Sequence, residues 1–387
     1  MLIIGTILML PVSVFLLQVL AAIFSRQSSA TLTDFKHRPT VAVLMPAHNE
    51  SLVIAQTIQA ILPQLMAHDQ LLIVADNCMD DTANIAKSLG ASVIERTNQQ
   101  QRGKGYALDF GLQQLKHHPP KVVLIIDADC LIGANAINAL AQACVQYQRP
   151  LQALYLMQSQ PNPNLKARMA SFAWLVKNKV RPLGFKALGL PCQLMGTGMA
   201  FLWQDMMLVN LASGHIVEDM KLGIDLCRLN KPPLFLPSTL VTSIFPPTDS
   251  ATKTQRARWE HGHLSVIFSE APSLIVDAIK QKNLHMFCLA LDLIVPPLAV
   301  LVLLCMALFM ASFVLYQFAA TQLTLILSAG LLIALASAVL LAWAFYGRHI
   351  ISFKQLCYAP IYALVKIPLY VKFFVNRQVE WVRSKRD

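Results

Sequence analysis

The chain contains uncharged apolar stretches long enough to cross a bilayer, and these restrict its fold more than any other feature. Residues 2–24, LIIGTILMLPVSVFLLQVLAAIF, carry no charge, and about 20 apolar residues are enough to span a bilayer's hydrocarbon core. A cleaved signal peptide fits less well, because no basic residue precedes the run and the run exceeds the usual apolar region of such peptides. We therefore expect residues 1–25 to form an N-terminal transmembrane helix.

A second apolar block occupies residues 284–347. Asp292 and the pair Pro296–Pro297 interrupt it, so one simple span does not account for its length. The pattern predicts an interfacial stretch to about Val295 and then two spans, near 298–318 and 322–346. Residues 353–387 mix lysines and arginines with aromatic residues, which is typical of an amphipathic basic helix lying on the membrane surface.

The positions of lysine and arginine predict the orientation in the membrane. None precedes residue 26, whereas Arg26, Lys36 and Arg38 follow the first span, and the C-terminal tail is basic. Cytoplasmic loops carry an excess of these residues, so we expect an integral membrane protein with its central domain and tail in the cytoplasm. The formal net charge of +11 favours contact with membrane lipids and phosphorylated substrates.

The sequence predicts neither a disulfide framework nor a nucleic-acid partner. The eight cysteines form no C-x-x-C pair, which indicates reduced, mostly buried thiols and no disulfide framework. Nucleic acid is not an expected partner, since the sequence shows no basic stripe with stacking aromatics.

The region 38–270 alternates short apolar runs with helical stretches and is expected to be one cytoplasmic domain. Short apolar strands with helices between them predict an α/β fold with a parallel, doubly wound sheet. The predicted strands are VAVLMP (41–46), LLIVAD (71–76), SVIER (92–96) and VVLIID (122–127), and the predicted helices cover about 50–66, 80–89, 105–116 and 133–147.

Polar residues follow three of these strands, where ligands bind in such sheets. They are His48, Asn49 and Glu50 after the first, Asp76 and Asn77 after the second, and Asp127 and Asp129 after the fourth. Two carboxylates on a turn suit Mg²⁺ or Mn²⁺ together with phosphate oxygens. The alternative is a capping pair that only organises the turn.

Other polar segments are open to a structural and a functional interpretation. In RGKG (102–105) a flexible cationic loop ahead of a helix favours an anion such as a diphosphate, while a solvated loop is the alternative. Asp80 or Asp81 is expected to cap the next helix. Glu218 and Asp219 open a further helix, either as capping acids or with a carboxylate serving as general base.

Two further segments are candidates for binding a substrate. In QRARW (255–259) a helix would place Gln255, Arg258 and Trp259 on one face, as a sugar and phosphate platform or as a juxtamembrane anchor. The segment MGTGMAF (195–201) permits close approach of a ligand or forms a turn only.

Taken in order, these segments resemble the membrane-bound inverting glycosyltransferases of family 2, which include the synthases of cellulose, chitin and hyaluronan. The resemblance covers about residues 40–262 and rests on PAHNE, VADN, GKGYAL, DAD, GTG, VED and QRARW. Where the family often has threonine before Glu-Asp, this chain has Val217.

The resemblance implies a nucleotide-sugar-binding fold of the GT-A type and a role for each matching residue. Asp219 would be the catalytic base, and Asp127 and Asp129 would face the diphosphate and an Mg²⁺ or Mn²⁺ ion, with Asp129 the nearer ligand. The remaining donor-binding residues would be Pro46, His48, Asn49, Glu50, Asp76, Lys104, Gln255, Arg258 and Trp259. The acceptor site would be lined by Gly196, Thr197, Gly198, Glu218 and Trp259.

We therefore expect an inverting enzyme of the bacterial plasma membrane that forms β-linkages. It would transfer a sugar to a lipid-linked or polysaccharide acceptor in cell-envelope or exopolysaccharide synthesis, and the resemblance implies that the donor is a UDP-hexose. About three spans do not readily enclose a glycan channel, so a processive polysaccharide synthase is the second choice. Work beside separate assembly or export proteins is a further expectation. A nucleotidyl- or phosphosugar transferase and a non-catalytic membrane scaffold are the remaining alternatives.

Overall fold

The computed structural model of the chain describes residues 1–25, 38–245, 249–318 and 322–375, with backbone only at 249–253. These residues form two compact units. The first comprises described residues of the segments 27–158 and 191–252, and the second those of 1–26, 159–190 and 253–378. Segment 159–190 thus packs with the second unit, although it lies inside the region that we expected to be one catalytic domain. The expected domain bounds stay a prediction.

An eight-stranded sheet forms the first unit, in the order β3-β2-β1-β4-β7-β6-β8-β5. The strands are β1 Val41–Ala47, β2 Gln70–Asp76, β3 Ser92–Arg96, β4 Val122–Ile125, β5 Leu131–Ile132, β6 Leu151–Gln158, β7 Met199–Leu202 and β8 Leu234–Ile244. The first four pair in parallel, as predicted. Strand β7 runs antiparallel to both β4 and β6, so the sheet is mixed beyond β4.

Helices make up most of the rest of the described chain. They are α1 Leu2–Phe24, α2 Ile54–Ile61, α3 Thr82–Ser88, α4 Lys104–Leu115, α5 Ala136–Tyr147, α6 Leu165–Leu175, α7 Arg181–Ala187, α8 Trp203–Met206, α9 Glu218–Arg228, α10 Asp249–Ser269, α11 Ala271–Lys280, α12 Leu284–Leu293, α13 Leu298–Tyr316, α14 Gln322–Ala342, α15 Phe353–Leu356, α16 Ala359–Val365 and α17 Ile367–Val375. A 3₁₀ turn follows α2 at Leu62–Gln64, and π-helical turns occur at Val176–Val180 and Trp343–Gly347.

The core of the first unit lies between the sheet and the helices that cover it. Helix α4 buries Leu108 and Leu112 in the same cluster as Leu44 of β1 and Val74 of β2. The edge strand β3 is partly exposed, but nearly every residue of β1, β2 and β4 is buried, so these three strands are covered on both faces of the sheet. This explains why the parallel strands read as continuous apolar runs rather than as an alternation.

Four helical stretches among the described residues are long and apolar enough to cross a membrane, which supports a membrane protein. They are Leu2–Phe24, Leu298–Tyr316, Gln322–Gly347 and Phe353–Val375. The last was expected to lie on the surface; it is divided into α15–α17, and its mean hydropathy of 1.3 is below the 2.5 to 2.9 of the others. Its surface placement and the orientation in the membrane stay predictions. Arg26, Lys36 and residues 376–387 lie outside the described residues.

A buried polar network joins three segments of the second unit that are far apart in the chain. The Gln18 amide of α1 donates to the Asp292 carboxylate of α12 at 2.6 Å. Arg181 of α7 donates to the Gln18 side-chain oxygen at 3.0 Å and to the same carboxylate at 2.8 Å. A Cβ on Gly184 would lie 1.9 Å from the Gln18 carbonyl oxygen, so only glycine allows α7 to approach α1 this closely.

Candidate functional site

The turn that carries the two aspartates after β4 is fixed by neighbouring polar groups. Thr57 donates its hydroxyl to the carbonyl of Ala128 at 2.8 Å, and the backbone N–H of Asp127 donates to the Thr197 hydroxyl at 3.1 Å. The Asp129 carboxylate accepts from the Ser243 hydroxyl at 3.4 Å. The turn therefore holds both carboxylates at the carboxyl end of the parallel strands.

Lys104, the first residue of α4, is the centre of the charged cluster in this unit. Its ammonium group pairs with Asp127, lies 3.8 Å from the Glu218 carboxylate, and donates to the Gly196 carbonyl at 2.7 Å. Burial alone would lower the Lys104 pKa, but the carboxylates of Asp127 and Glu218 raise it above its ordinary value. The lysine is therefore firmly cationic and suited to an anionic ligand.

The segment from Gly196 to Gly198 forms a tight turn beside this cluster. Gly196 and Gly198 have φ of +89° and +65°, a region that side chains other than glycine rarely adopt. A Cβ on Gly196 would lie 3.5 Å from Asp219 Oδ2 and 3.7 Å from Lys104 Nζ, so the turn brings these two groups to one place. The predicted turn is thus present and leads directly into the strand Met199–Leu202, and its role in binding a ligand stays a prediction.

Gln152 holds this turn in place, and the sequence alone did not identify it as a residue that supports the site. Its buried amide donates to the Thr197 carbonyl at 2.9 Å and accepts from the Met195 N–H at 2.7 Å. The available signal was an amide near the start of LQALYLMQ, a strand that is otherwise apolar until its last residue, because a buried polar side chain needs partners.

Glu218 and Asp219 open α9, as predicted. Burial raises the pKa of the Glu218 carboxyl to about 7, the Lys104 charge opposes this rise, and the Asp219 and Asp127 charges add to it. A buried carboxyl with a raised pKa beside a second carboxylate is typical of sites that transfer protons.

Asp127 and Asp129 fit a divalent cation by the chemistry of their donor atoms. Ligand atoms of Asp127, Asp129 and Cys130 all lie within 4.8 Å of one another. Burial raises the pKa of the Cys130 thiol to about 12, so it stays protonated and donates to Asp129 at 3.3 Å. Two carboxylates remain, and hard oxygen donors suit Mg²⁺ or Mn²⁺.

Asp76 at the end of β2 is paired with a partner that the sequence analysis missed. Its Oδ1 accepts from Arg96 at 2.6 Å and from Asn77 at 3.0 Å, and all three side chains are buried. Asp76 and Arg96 are opposite residues in the parallel register of β2 and β3. The sequence did contain a sign of this pair, because two consecutive predicted strands end in opposite charges, LLIVAD in Asp76 and SVIER in Arg96. Arg96 also lies over the Tyr106 ring at 5.7 Å.

The residues after β1 form a polar cluster with the segment after β2. The His48 ring bonds the Asp76 carbonyl through Nδ1 at 2.6 Å, Asn49 accepts from the Met79 N–H at 2.7 Å, and the Glu50 N–H donates to Thr82 at 2.8 Å. Pro46 lies within β1.

Asp81 occupies the N-cap position of α3 without a side-chain capping bond, so the prediction that Asp80 or Asp81 caps this helix is only partly met. Asp80 is bonded to the first helical residue instead. It accepts from the Thr82 N–H at 3.1 Å, and hydrogen bonds from Thr82 and Ser51 lower its pKa to about 2 although burial opposes this. Asp81 is the residue before the helix and bonds Asn84.

Gln255, Arg258 and Trp259 lie on α10, in the second unit, and share a helical face as predicted. The Trp259 ring contacts Trp174 of α6, with ring centroids 4.7 Å apart. Another face of α10 is fixed by the C-terminal helices: Glu260 pairs with Lys366 and accepts from the Tyr370 hydroxyl at 2.5 Å.

Residues 38–262 match the profile of a protein family described as glycosyltransferase like family 2. The match covers more than half of the 387 residues. It includes every candidate site residue described above, from Pro46 to Trp259.

Among curated proteins, the probable glycosyltransferase YdaM of Bacillus subtilis (strain 168) is 26% identical over 270 residues, which are 63% of this chain and 60% of that protein. A 4,4′-diaponeurosporenoate glycosyltransferase of Staphylococcus aureus is 30% identical over 132 residues, 33% of this chain and 34% of that protein. The chain thus matches less than two thirds of the length of either relative.

Among solved structures, the mannosyltransferase PcManGT from Pyrobaculum calidifontis, in complex with GDP-Man and Mn²⁺, is similar with a TM-score of 0.55. The likeness covers 97% of this chain and 99% of that chain at 15% identity. At this identity the likeness concerns the fold, and it confirms the GT-A type α/β fold that the resemblance implied.

Proposed function

This chain belongs to the family described as glycosyltransferase like family 2, and from that premise we propose that it is an inverting, β-forming glycosyltransferase. The proposed donor is a UDP-hexose, and the proposed acceptor is a lipid-linked or polysaccharide chain in cell-envelope or exopolysaccharide synthesis. The proposed location is the bacterial plasma membrane, with the sheet-bearing unit in the cytoplasm.

The observation that carries this proposal is the cluster around Lys104. A cation held by Asp127 and Glu218, beside Asp219 and a left-handed glycine turn, provides an anion site next to a candidate base. It lies where parallel strands end, which is where such sheets bind nucleotides. The Pyrobaculum mannosyltransferase with this fold holds GDP-Man and Mn²⁺, which supports a nucleotide-sugar donor.

In the proposed reaction, Asp219 accepts the proton of an acceptor hydroxyl, whose oxygen attacks the anomeric carbon of the donor. The bond from that carbon to the diphosphate breaks in the same displacement, so the configuration inverts. Lys104 stabilises the negative charge that develops on the leaving nucleoside diphosphate. A divalent cation, when bound by Asp127 and Asp129, would neutralise further charge on the diphosphate.

The test is a transfer assay on the full-length chain in membranes, with a panel of nucleotide sugars. In Asp219→Asn we expect kcat to fall by about 10²–10⁴ with donor binding retained, because general-base catalysis contributes about that factor. Asp225→Asn is the matched control: it makes the same chemical change on α9, where Asp225 pairs with Lys221. Turnover that survives in Asp219→Asn but is lost in Glu218→Gln would move the base to Glu218.

The products separate the proposal from its alternatives. Release of a nucleoside diphosphate supports glycosyl transfer, whereas release of inorganic diphosphate indicates a nucleotidyltransferase. A product with many added sugars per acceptor indicates a processive synthase, and no turnover of any donor indicates a scaffold.

A further inference from the structure

Trp174, which played no part in the sequence analysis, contacts the tryptophan of the QRARW segment within the second unit. The centroids of the Trp174 and Trp259 rings lie 4.7 Å apart with the ring planes at 41°. Both side chains are half-buried, so part of each ring is accessible. The pair has the spacing of an ordinary packed aromatic contact, and its partial exposure leaves an aromatic surface that a ligand can reach.

A cation lies beside this aromatic pair. Lys177 Nζ lies 5.9 Å from the centroid of the Trp174 ring, and Arg258 precedes Trp259 in the chain. Lys177 belongs to the π-helical turn Val176–Val180, which follows the helix of Trp174 directly. Such turns are rare and are frequent at functional sites.

Gln255 supplies an independent sign of a ligand at this face. Its side chain is 5% exposed, and its amide oxygen has no hydrogen-bond partner among the described residues. Gln255 precedes Trp259 by one helical turn, so the two residues lie on the same side of α10. A buried hydrogen-bond acceptor without a donor costs folding free energy, and a hydroxyl group of a ligand would supply that donor.

These groups together match one class of ligand. An indole face packs on the apolar C–H face of a sugar ring, an amide oxygen accepts from a sugar hydroxyl, and ammonium and guanidinium groups bind phosphate. We propose that Trp174 and Lys177 complete an acceptor subsite with Gln255 and Trp259, and that this subsite takes a glycosyl phosphate, a sugar ring joined through phosphate to a lipid chain. The proposal rests on the proposed glycosyl transfer, since it names the acceptor for that reaction.

The alternative occupant is the membrane itself, because tryptophan and lysine also collect at bilayer interfaces. Three synthetic probes separate the two: a dodecyl glucosyl phosphate, the dodecyl glucoside without phosphate, and dodecyl phosphate without sugar. Binding to the full-length chain in detergent is measured by thermophoresis. The subsite should bind the first probe about tenfold more tightly than either of the others, since each lacks one recognised group.

Single-residue variants show which side chain recognises the phosphate and which recognises the sugar. Lys177→Gln should remove the preference for the glucosyl phosphate over the glucoside. Lys179→Gln should leave that preference intact; it is the matched control, because Lys179 lies on the same π-helical turn but over the Tyr346 ring at 5.8 Å. Trp174→Leu should weaken both sugar-bearing probes about tenfold and leave dodecyl phosphate unchanged, with Trp174→Phe restoring part of the loss.

Equal binding of all three probes, or an equal loss for all three in every variant, would overturn the proposal and indicate interfacial anchoring. These outcomes do not depend on donor turnover. If the wild type turns over no nucleotide sugar, the proposed function fails. If turnover is normal and the probe preference is absent, only the subsite fails.

Discussion

Glu218 offers a direct test of the electrostatics of the site, because its buried carboxyl couples protonation to stability. Its side chain is 12% exposed, and its pKa rises from 4.5 to about 7 in the folded chain, chiefly through burial. Between these pH values the folded chain binds a proton that the unfolded chain has released, so stability falls as the pH rises from about 4.5 to 7. Each pKa unit corresponds to about 1.4 kcal/mol, which gives a loss of about 3 kcal/mol.

Glu218→Gln should remove this pH dependence, since glutamine keeps the shape and stays neutral. The variant should match the wild type near pH 4.5 and exceed its thermal midpoint above pH 7 by roughly 6–12 °C, at about 2–4 °C per kcal/mol for a unit of this size.

The measurement is the thermal midpoint of the full-length chain in detergent with EDTA, from pH 4.5 to 8, followed by tryptophan fluorescence. Glu95→Gln is the control, because Glu95 pairs with Lys87 at the surface with its side chain 60% exposed. It should leave the profile within about 2 °C of the wild type, as exposed pairs contribute little. A difference between wild type and Glu218→Gln that does not change with pH would refute the assignment of a buried, neutralised carboxyl.

Three further changes test other parts of the structure. Gly198→Ala should lose about 2–4 kcal/mol in chemical denaturation, because φ is +65° and the new Cβ would lie 2.7 Å from Val241; a loss under about 1 kcal/mol would contradict the tight turn. Asp292→Asn should cost about 3–5 kcal/mol by leaving the Arg181 charge buried without its carboxylate, and an unchanged thermal midpoint would argue against the network. Asp129→Asn should weaken Mn²⁺ binding by at least about tenfold in calorimetry, and wild-type affinity would remove Asp129 from the proposed cation site.

The parallel half of the sheet was predictable because its strands β1, β2 and β4 are buried on both faces, although the edge strand β3 is partly exposed. The runs VAVLMP, LLIVAD, SVIER and VVLIID all form strands at or within a few residues of the predicted positions. The polar residues that follow them had to lie at one edge, since parallel strands end on the same side. Asp127 and Asp129 were therefore identified as candidate site residues before any contact was known, and Lys104 was added from the cationic loop RGKG ahead of a helix.

The specific pairs within the site were not predictable, because they depend on contacts between distant parts of the chain. Nothing local to Lys104 indicates that it pairs with Asp127 and approaches Glu218. The antiparallel pairing of β7 with β4 also went unrecognised, since MAFL is too short for its pairing direction to show. Segment 159–190 lacks a long apolar run, so its packing against the N-terminal helix left no sequence signal.

The hydrogen bonds of Gln18 also constrain how the protein is made. Helix α1 is synthesised before α7 and α12, and the carboxylate that the Gln18 amide bonds comes 274 residues later. A bilayer offers no water to satisfy a buried amide. Until the ribosome has added Arg181 and then Asp292, the first helix has neither partner for Gln18. Helix α1 can therefore reach its final packing only after the chain has been translated at least as far as α12.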